Sequence, residues 1–229
     1  MDTLIKPAEQ AEVEDLFAGG GQMGELMRSI DWSTTPIGPV SEWTSSMRLA
    51  IKICLTSRFP MLLWWGPELI IHYNDAFRPV LGTLKHPQAM GSRGHEVWPE
   101  LWPIIGPMLE SVLTTGKATW SDNQLLFHLR NGYKEETYFT YSYSPIWDEY
   151  GKVKGIFTAV AETTKQVLGE RRLKTLRDLG AQSSHAKTVE EACQIAATIL
   201  EDNQTDIPFG LVYILSQDGK QANLYSKVG

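Results

Sequence analysis

The feature that most constrains the fold is the segment 59–82, in which two short apolar runs meet at a glycine–proline pair. The runs at 62–65 and 69–73 are rich in residues that favour strands, and Gly66-Pro67 between them is typical of a tight turn. The segment therefore predicts an antiparallel hairpin. Asn74 or Asp75 then stands where a helix N-cap is expected, ahead of residues that turn an apolar side inward.

Three further segments, 125–129, 136–146 and 153–162, predict strands because they are rich in β-branched, aromatic and other apolar residues. The turn residues at 147–151 separate the last two strands. Five strands, with helices in the middle of their sequence order, predict the α+β class. The expected architecture is a five-stranded antiparallel sheet packed against helices.

The order of these motifs resembles the PAS family of sensory domains. The signature Asn-x-Ala-Phe followed by Gly is matched by Asn74, Ala76, Phe77, Leu81 and Gly82. Residues 144–155 are similar to the last hairpin of the family, and Glu162-Thr163-Thr164 resembles its closing Asp-x-Thr motif, with Glu in place of Asp. The resemblance covers about residues 47–164. It implies that Glu162 and Thr164 pass a signal to the helix that follows.

The sequence predicts five consecutive parts. They are a flexible lead at 1–21 that ends in three glycines, a cap segment with a helix at 22–58, a PAS-like domain at 59–164, a signalling linker helix at 165–186, and the truncated start of a GAF-like domain at 187–229. The Trp-Ser-x-x-Pro-Ile-Gly-Pro stretch at 32–39 is similar to a segment found ahead of PAS domains in bacterial sensor histidine kinases. This similarity implies a cap or a dimer contact.

After residue 164 the apolar residues recur at helical spacing among many charged ones, as in a helix that pairs with its own copy. A helix that simply packs on the next domain fits the same pattern. Thr188 then predicts a helix start, and 209–215 and 222–228 predict two strands around a turn. This arrangement resembles the opening of a GAF domain. Because a full domain of that kind needs about 150 residues, we expect a truncated product or an excised fragment.

Composition restricts the partners and the compartment. The net charge of −6 and the pI near 5.4 argue against a nucleic-acid partner, because phosphate binding requires clustered Lys and Arg. The two cysteines, Cys54 and Cys193, lie far apart and fit reduced thiols in the cytoplasm. No apolar run approaches the roughly 20 residues of a membrane span, and the acidic N-terminus does not resemble a signal peptide.

Searches for catalytic motifs find no phosphate-binding loop, no zinc helix, no nucleophile elbow and no Cys-x-x-Cys pair. The sequence therefore predicts no catalytic residue and no metal site, and this region is not expected to be an enzyme. His185 lacks the neighbours of a phosphoacceptor histidine. His95 and His128 are conceivable haem ligands, but neither stands in a haem-PAS motif, and 90–98 has no cysteine for a flavin adduct. The cofactor stays unassigned.

Apolar residues at helical spacing, interrupted by prolines, predict an irregular wall that leaves room for a ligand, or else a solid aromatic core. The pocket candidates from these segments are Phe77, Leu81, Trp98, Leu101, Trp102 and Met108. Strand 138–144 alternates between an aromatic face and a hydroxyl face. If the hydroxyl face points inward, Thr140 and Ser142 join the pocket; if the aromatic face does, the core is filled.

Two classes of function remain open at this point. In the first, the chain is a cytosolic sensory input module, expected to be a homodimer, that binds a small ligand or rearranges to control a C-terminal output domain, expected to be a histidine kinase. In the second, it is a ligand-free PAS domain used for dimerisation and spacing. A stand-alone enzyme such as a cyclase or phosphatase is a third, weaker alternative.

Overall fold

The computed structural model describes residues 15–229, which form two compact units, Met1–Thr164 and Lys165–Gly229, the first described from residue 15 onwards. Residues 1–14 of the predicted lead lie outside the described residues. Seven helices are used below: α1 Gly21–Ser29, α2 Ser45–Thr56, α3 Arg78–Lys85, α4 Gly94–Val97, α5 Trp102–Thr115, α6 Thr164–Ser183 and α7 Val189–Glu201. The strands are β1 Met61–Trp65, β2 Ile70–Tyr73, β3 Thr119–His128, β4 Glu135–Trp147, β5 Val153–Glu162, β6 Gly210–Leu215 and β7 Ala222–Val228.

The first unit contains a five-stranded sheet in the order β2-β1-β5-β4-β3. Every neighbouring pair is antiparallel, and β1, the first strand of this sheet in sequence, pairs with β5, the last. The predicted α+β class with a five-stranded antiparallel sheet is therefore confirmed. The sheet brings the segment around Leu62 next to Thr158, so that the first hairpin and the last hairpin share one core.

Strand β3 begins six residues before the predicted start at Leu125. Its first half is polar and exposed, and it lies at the edge of the sheet, where only one side needs to pair. The register shifts between Ser121 and Gln124, and Asn123 has a φ of 45°. A β-bulge of this kind breaks the two-residue alternation on which the sequence prediction depended.

The N-terminal segment covers the outer face of β1 and β2. Trp32 stacks on His72 of β2 at 5.2 Å between ring centroids, and Trp43 meets the same ring edge-on at 5.9 Å. The indole of Trp32 donates to the carbonyl of Met27, and Arg48 donates to the carbonyls of Val40 and Trp43. The predicted cap is thus built into the core of the first unit.

The three glycines at 19–21 do not separate a loose lead from the fold, because Phe17 is fully buried and Gly21 begins α1. The carboxylate of Asp75 accepts hydrogen bonds from the backbone amides of Gln22 and Met23, at 3.1 and 2.9 Å. A Cβ at Gly21 would lie 2.0 Å from this carboxylate, so the close approach requires glycine. Asp75 therefore caps α1, whereas Asn74 caps the short turn that precedes α3.

The second unit consists of α6, α7 and the antiparallel hairpin of β6 and β7. Thr188 caps α7 by accepting from the amide of Glu191, as the sequence predicts. Arg171 of α6 makes a bidentate pair with Asp206 in the loop after α7, at 2.7 and 2.8 Å. The assignment of this unit to the start of a GAF-like domain stays a prediction.

Candidate functional site

A small cavity lies between the inner face of the sheet and the helices of the first unit. Its volume is about 50 Å³. Its wall combines side chains from β1, β3, β4 and β5 with side chains from the helical segment 77–105, namely Leu62, Trp64, Phe77, Val80, Trp98, Leu101, Ile105, Leu126, His128, Phe139, Tyr141, Tyr143, Thr158 and Val160.

The aromatic face of β4 points into this core. Phe139, Tyr141 and Tyr143 are buried and line the cavity, because large rings gain the most from leaving water. Thr140 and Ser142 point to the opposite face, where Thr140 donates to Asp122 and Ser142 donates to the carbonyl of Thr119, both at 2.9 Å. Thr140 and Ser142 are therefore removed from the set of pocket residues.

The other six candidates divide into two groups. Phe77, Trp98 and Leu101 line the cavity. Leu81 is fully buried without lining it, and Trp102 and Met108 are half-buried and pack against the core. The predicted interruption by prolines is found only in part: the segment 98–101, which contains Pro99, separates α4 from α5, whereas α5 runs without interruption through Pro107. The core is close to the filled alternative, with one small space left.

The size of the cavity limits what it holds. Pockets for drug-sized ligands measure about 300–1,000 Å³, and a cavity of about 150 Å³ is needed for benzene. A space of about 50 Å³ therefore accommodates neither a haem nor a flavin. His95, one of the two histidines considered as haem ligands, is exposed and contacts Trp102 instead of the cavity.

His128, the other one, lies in the cavity wall. Burial, together with the charges of Arg130 and Lys85, lowers its pKa to about 4. Its Nδ1 and the Nε1 of Trp98 are buried and have no hydrogen-bond partner among the described residues. By contrast, the indole of Trp64 donates to Thr158 at 2.8 Å. The inward alternation of Leu126 and His128 on β3 is the sequence signal that identifies His128 as a wall residue.

The end of β5 forms a second site, which we call the exit junction and define as Arg130, Glu135, Glu162 and Thr164. The guanidinium of Arg130 makes a bidentate pair with Glu162, at 2.8 and 2.9 Å, and contacts Glu135 at 3.2 Å. Burial raises the pKa of Glu162, but hydrogen bonds from Arg130 and its charge outweigh burial and hold that pKa below its usual range. Arg130 was not identified from the sequence, because an arginine in a polar loop carries no signal of its partners.

The exit junction also holds the start of α6. The hydroxyl of Thr164 donates to Glu162 and accepts from the amide of Tyr138, each at 3.0 Å. The amide of Thr163 donates to the carbonyl of Tyr138 at 2.8 Å. Glutamate at 162 thus reaches the threonine two residues later, and both residues of the predicted signal-transfer motif are tied to the sheet.

On its other side, Arg130 contacts α3. Its guanidinium donates to the carbonyl of Pro79 at 3.3 Å, and its own carbonyl accepts from the amide of Leu84 at 3.4 Å. Gly82 has a φ of 70°, and a Cβ there would lie 2.4 Å from the carbonyl oxygen of Arg130. Position 82 therefore requires glycine for two reasons: its backbone has a positive φ, and a side chain would collide with the carbonyl of Arg130.

Comparisons with known proteins agree with this architecture. Residues 67–168 match the family model described as the PAS fold. The five-stranded antiparallel sheet and its flanking helices fit a PAS-like fold, in agreement with this match. No curated protein matches the chain.

Several solved structures resemble the chain at low identity. A sensory box sensor histidine kinase from Vibrio cholerae is 15% identical, with a TM-score of 0.38, and the match covers 45% of this chain and 81% of that one. An RNA-binding light-oxygen-voltage receptor is 17% identical, with a TM-score of 0.43, over 67% of this chain and 43% of that one. A light-oxygen-voltage domain studied with a flavin analogue is 14% identical, with a TM-score of 0.38, over 54% and 94%.

Within residues 15–229, no helix combines the length and the apolar character needed to cross a membrane. The same residues contain no group of three or more His, Cys, Asp or Glu side chains arranged to hold a metal ion.

Proposed function

We propose that this chain is a cytoplasmic sensory input module, in which the state of the PAS-like unit passes through the exit junction to α6 and on to an output domain. The expected output domain is a histidine kinase. In this proposal the chain itself performs no reaction. The observation that carries the proposal is the set of contacts of Arg130, which joins α3, β4 and the end of β5 beside the first residue of α6.

The position of Arg130 supports a transmitting role. It lies two residues after His128, so the cavity wall and the exit junction share one short piece of backbone. The side chain of Arg130 is only 12% exposed, and that of Glu162 29%. Removing one partner of a partly buried, bidentate charge pair costs much free energy, because the other charge is left unpaired. A shift at the end of β3 therefore favours rearrangement of the whole exit junction over the loss of one of its contacts.

Signalling through such a junction requires two arrangements of similar free energy, biased by a ligand or by a second copy of the chain. The exposed apolar residues of α6 support a role for a second copy of the chain. Leu173 and Leu176 are 66% and 65% exposed, and their spacing places them on one side of the helix. We propose that α6 pairs with its own copy in a homodimer.

A ligand-free dimerisation and spacing module is the second candidate. The small volume of the cavity favours it, since a nearly filled core leaves little for a ligand to change. The two candidates differ in whether the exit junction responds to the core, which first requires that the junction stabilises α6. The following experiment tests that requirement.

The test is hydrogen exchange of α6 and of the start of β4 in Arg130→Met. We expect exchange there to rise at least about tenfold, which corresponds to about 1.4 kcal/mol of lost local stability. Arg93→Met is the matched control, because Arg93 pairs with Glu68 in an exposed ion pair outside the junction. Equal exchange of α6 in the wild type and both variants would contradict the proposal.

A double-mutant cycle with Glu162→Gln separates the pair from general damage. Because Arg130 and Glu162 contact each other directly, we expect a coupling free energy of about 0.5–3 kcal/mol between the two substitutions. Additive effects would show that Arg130 stabilises the junction through its other contacts alone.

A further inference from the structure

Two cavity-wall residues, Trp98 and His128, each have a buried ring nitrogen without a partner in the described part of the chain, which suggests a bound molecule. Trp98 and His128 are each 3% exposed, and Trp98 Nε1 and His128 Nδ1 have no partner among the described residues. Buried polar groups without a partner are uncommon in native proteins, and each such group usually marks a missing water, ion or ligand. Both side chains line the same cavity, which makes an occupant of that cavity the candidate partner for both.

We propose that the cavity is a site for a neutral molecule of about two or three non-hydrogen atoms that carries a hydrogen-bond acceptor, with Trp98 and His128 as its polar contacts. The inference rests on the proposed function, because it takes the cavity as the place where the PAS-like unit senses. The size follows from a volume of about 50 Å³, which is about a third of the space that benzene requires.

The neutral character follows from the charges around the cavity. No charged side chain lines it. The charged groups nearest His128 are already in pairs, Lys85 with Glu100 and Arg130 with Glu162. A charged molecule would lose its hydration in an apolar space without meeting an opposite charge, which strongly opposes its entry.

The acceptor follows from the chemistry of the indole. Trp98 Nε1 only donates, so its partner must be an oxygen or nitrogen with a lone pair. A neutral imidazole such as His128 donates from one nitrogen and accepts at the other. Two other polar groups of the wall already have partners, since Thr158 accepts from Trp64 and the hydroxyl of Tyr141 donates to Gln124. Small amides and alcohols have the required groups.

The experiment uses the full chain and three probes: formamide, xenon, and N-phenylformamide as an amide too large for the cavity. We expect formamide to produce a saturable shift of the Trp98 indole signal, which is assigned by its loss in Trp98→Phe. The limit on affinity per atom makes the Kd no tighter than about 0.5 mM. N-phenylformamide should leave the signal in place.

Xenon tests the space without the hydrogen bonds. In Trp98→Phe we expect xenon still to shift the methyl signals of Leu101 and Ile105, and formamide to lose at least about tenfold in affinity. Failure of formamide to shift the indole at roughly a hundredfold above the affinity limit would overturn the inference. Binding of formamide that is unchanged in Trp98→Phe would overturn it as well.

Hydrogen exchange of α6, measured with and without formamide, separates this inference from the proposed function. If formamide binds and the exchange of α6 stays constant, the site stands and the transmitting role fails. If Arg130→Met changes α6 while formamide does not bind, the transmitting role stands and the site fails.

Discussion

At the scale of single residues, His72 shows how the outer face of the sheet depends on an uncharged side chain. It is 1% exposed, and its ring nitrogens have no side-chain partner among the described residues. The rings of Trp32 and Trp43 pack against it. The contact is therefore mainly one of ring surfaces, and burial favours the neutral imidazole more than the backbone of Ile70 favours the charged one.

The stability of the protein should consequently depend on pH through His72. Burial lowers its pKa to about 3, so between that value and 6.5 the unfolded chain takes up a proton that the folded chain refuses. Stability is complete above the unfolded pKa and falls as the pH decreases, by up to about 1.4 kcal/mol per pH unit. We expect His72→Phe to reduce this slope between about pH 5 and 6.5, where most carboxylates are already ionised.

Urea unfolding at several pH values within this window measures the effect. His128 adds to the slope of both proteins, because burial lowers its pKa to about 4. The slope of His72→Phe should therefore be smaller than that of the wild type but not zero. An identical slope in the two proteins would mean that His72 becomes protonated in the folded state.

At the scale of elements, the sequence predicted those strands whose apolar pattern and turns agree. β1, β2 and β5 were placed to within one residue, since Gly66-Pro67 and the 147–151 turn limit them. The polar first half of β3 was missed because an edge strand with a bulge needs neither an apolar face nor strict alternation. Which face of β4 is buried was decided by packing against α5, which alternation alone does not specify.

The residues of the candidate site were likewise predicted where the apolar pattern shows them and missed where it does not. Phe77, Trp98 and Leu101 were found because an inward apolar face is visible in the sequence. Arg130 was not, because its partners Glu135 and Glu162 are brought to it only by the pairing of β3, β4 and β5. Contacts between polar groups distant in sequence depend on register, and a single sequence does not contain the register.

The junction between α1 and the turn at 75–77 gives a prediction at this scale. Asp75→Ala removes the acceptor for the amides of Gln22 and Met23, and should destabilise the protein by about 1–2 kcal/mol. Asp75→Asn keeps one of the two acceptor oxygens, so it is expected to lose about half as much. Hydrogen exchange should rise in α1 before it rises in β1. Equal losses in the two variants would show that a single acceptor oxygen does not cap α1.

At the scale of the whole molecule, the core of the first unit runs without interruption from Leu16 to Val160. The residues that precede the sheet contribute Phe17, Met27, Trp32 and Trp43 to it. A PAS-like domain bounded at residue 59, as the sequence suggested, would therefore expose the outer face of β1 and β2. The folding unit is longer than the segment 67–168 that matches the family model.

Two fragments test this boundary. Residues 1–168 should unfold cooperatively in thermal denaturation, at a midpoint close to that of the first unit in the full chain. Residues 45–168 should fail to fold, because each lost Phe or Trp contact costs about 3–5 kcal/mol against a total stability of about 5–15 kcal/mol. Tryptophan fluorescence and circular dichroism measure the unfolding of both fragments. A cooperative transition in the shorter fragment would show that the N-terminal segment is dispensable.

The glycine at position 82 has a consequence for how variation in this chain would be interpreted. A library of all substitutions there should return almost only the parental residue, as strongly as at a position that performs chemistry. The cause would be clearance for one carbonyl oxygen of Arg130. Intolerance to substitution next to a transmitting arginine can thus reflect the conformation of the backbone. In a mutational map of this region, positions that require a special backbone conformation have to be separated from the others before any position is assigned to signalling.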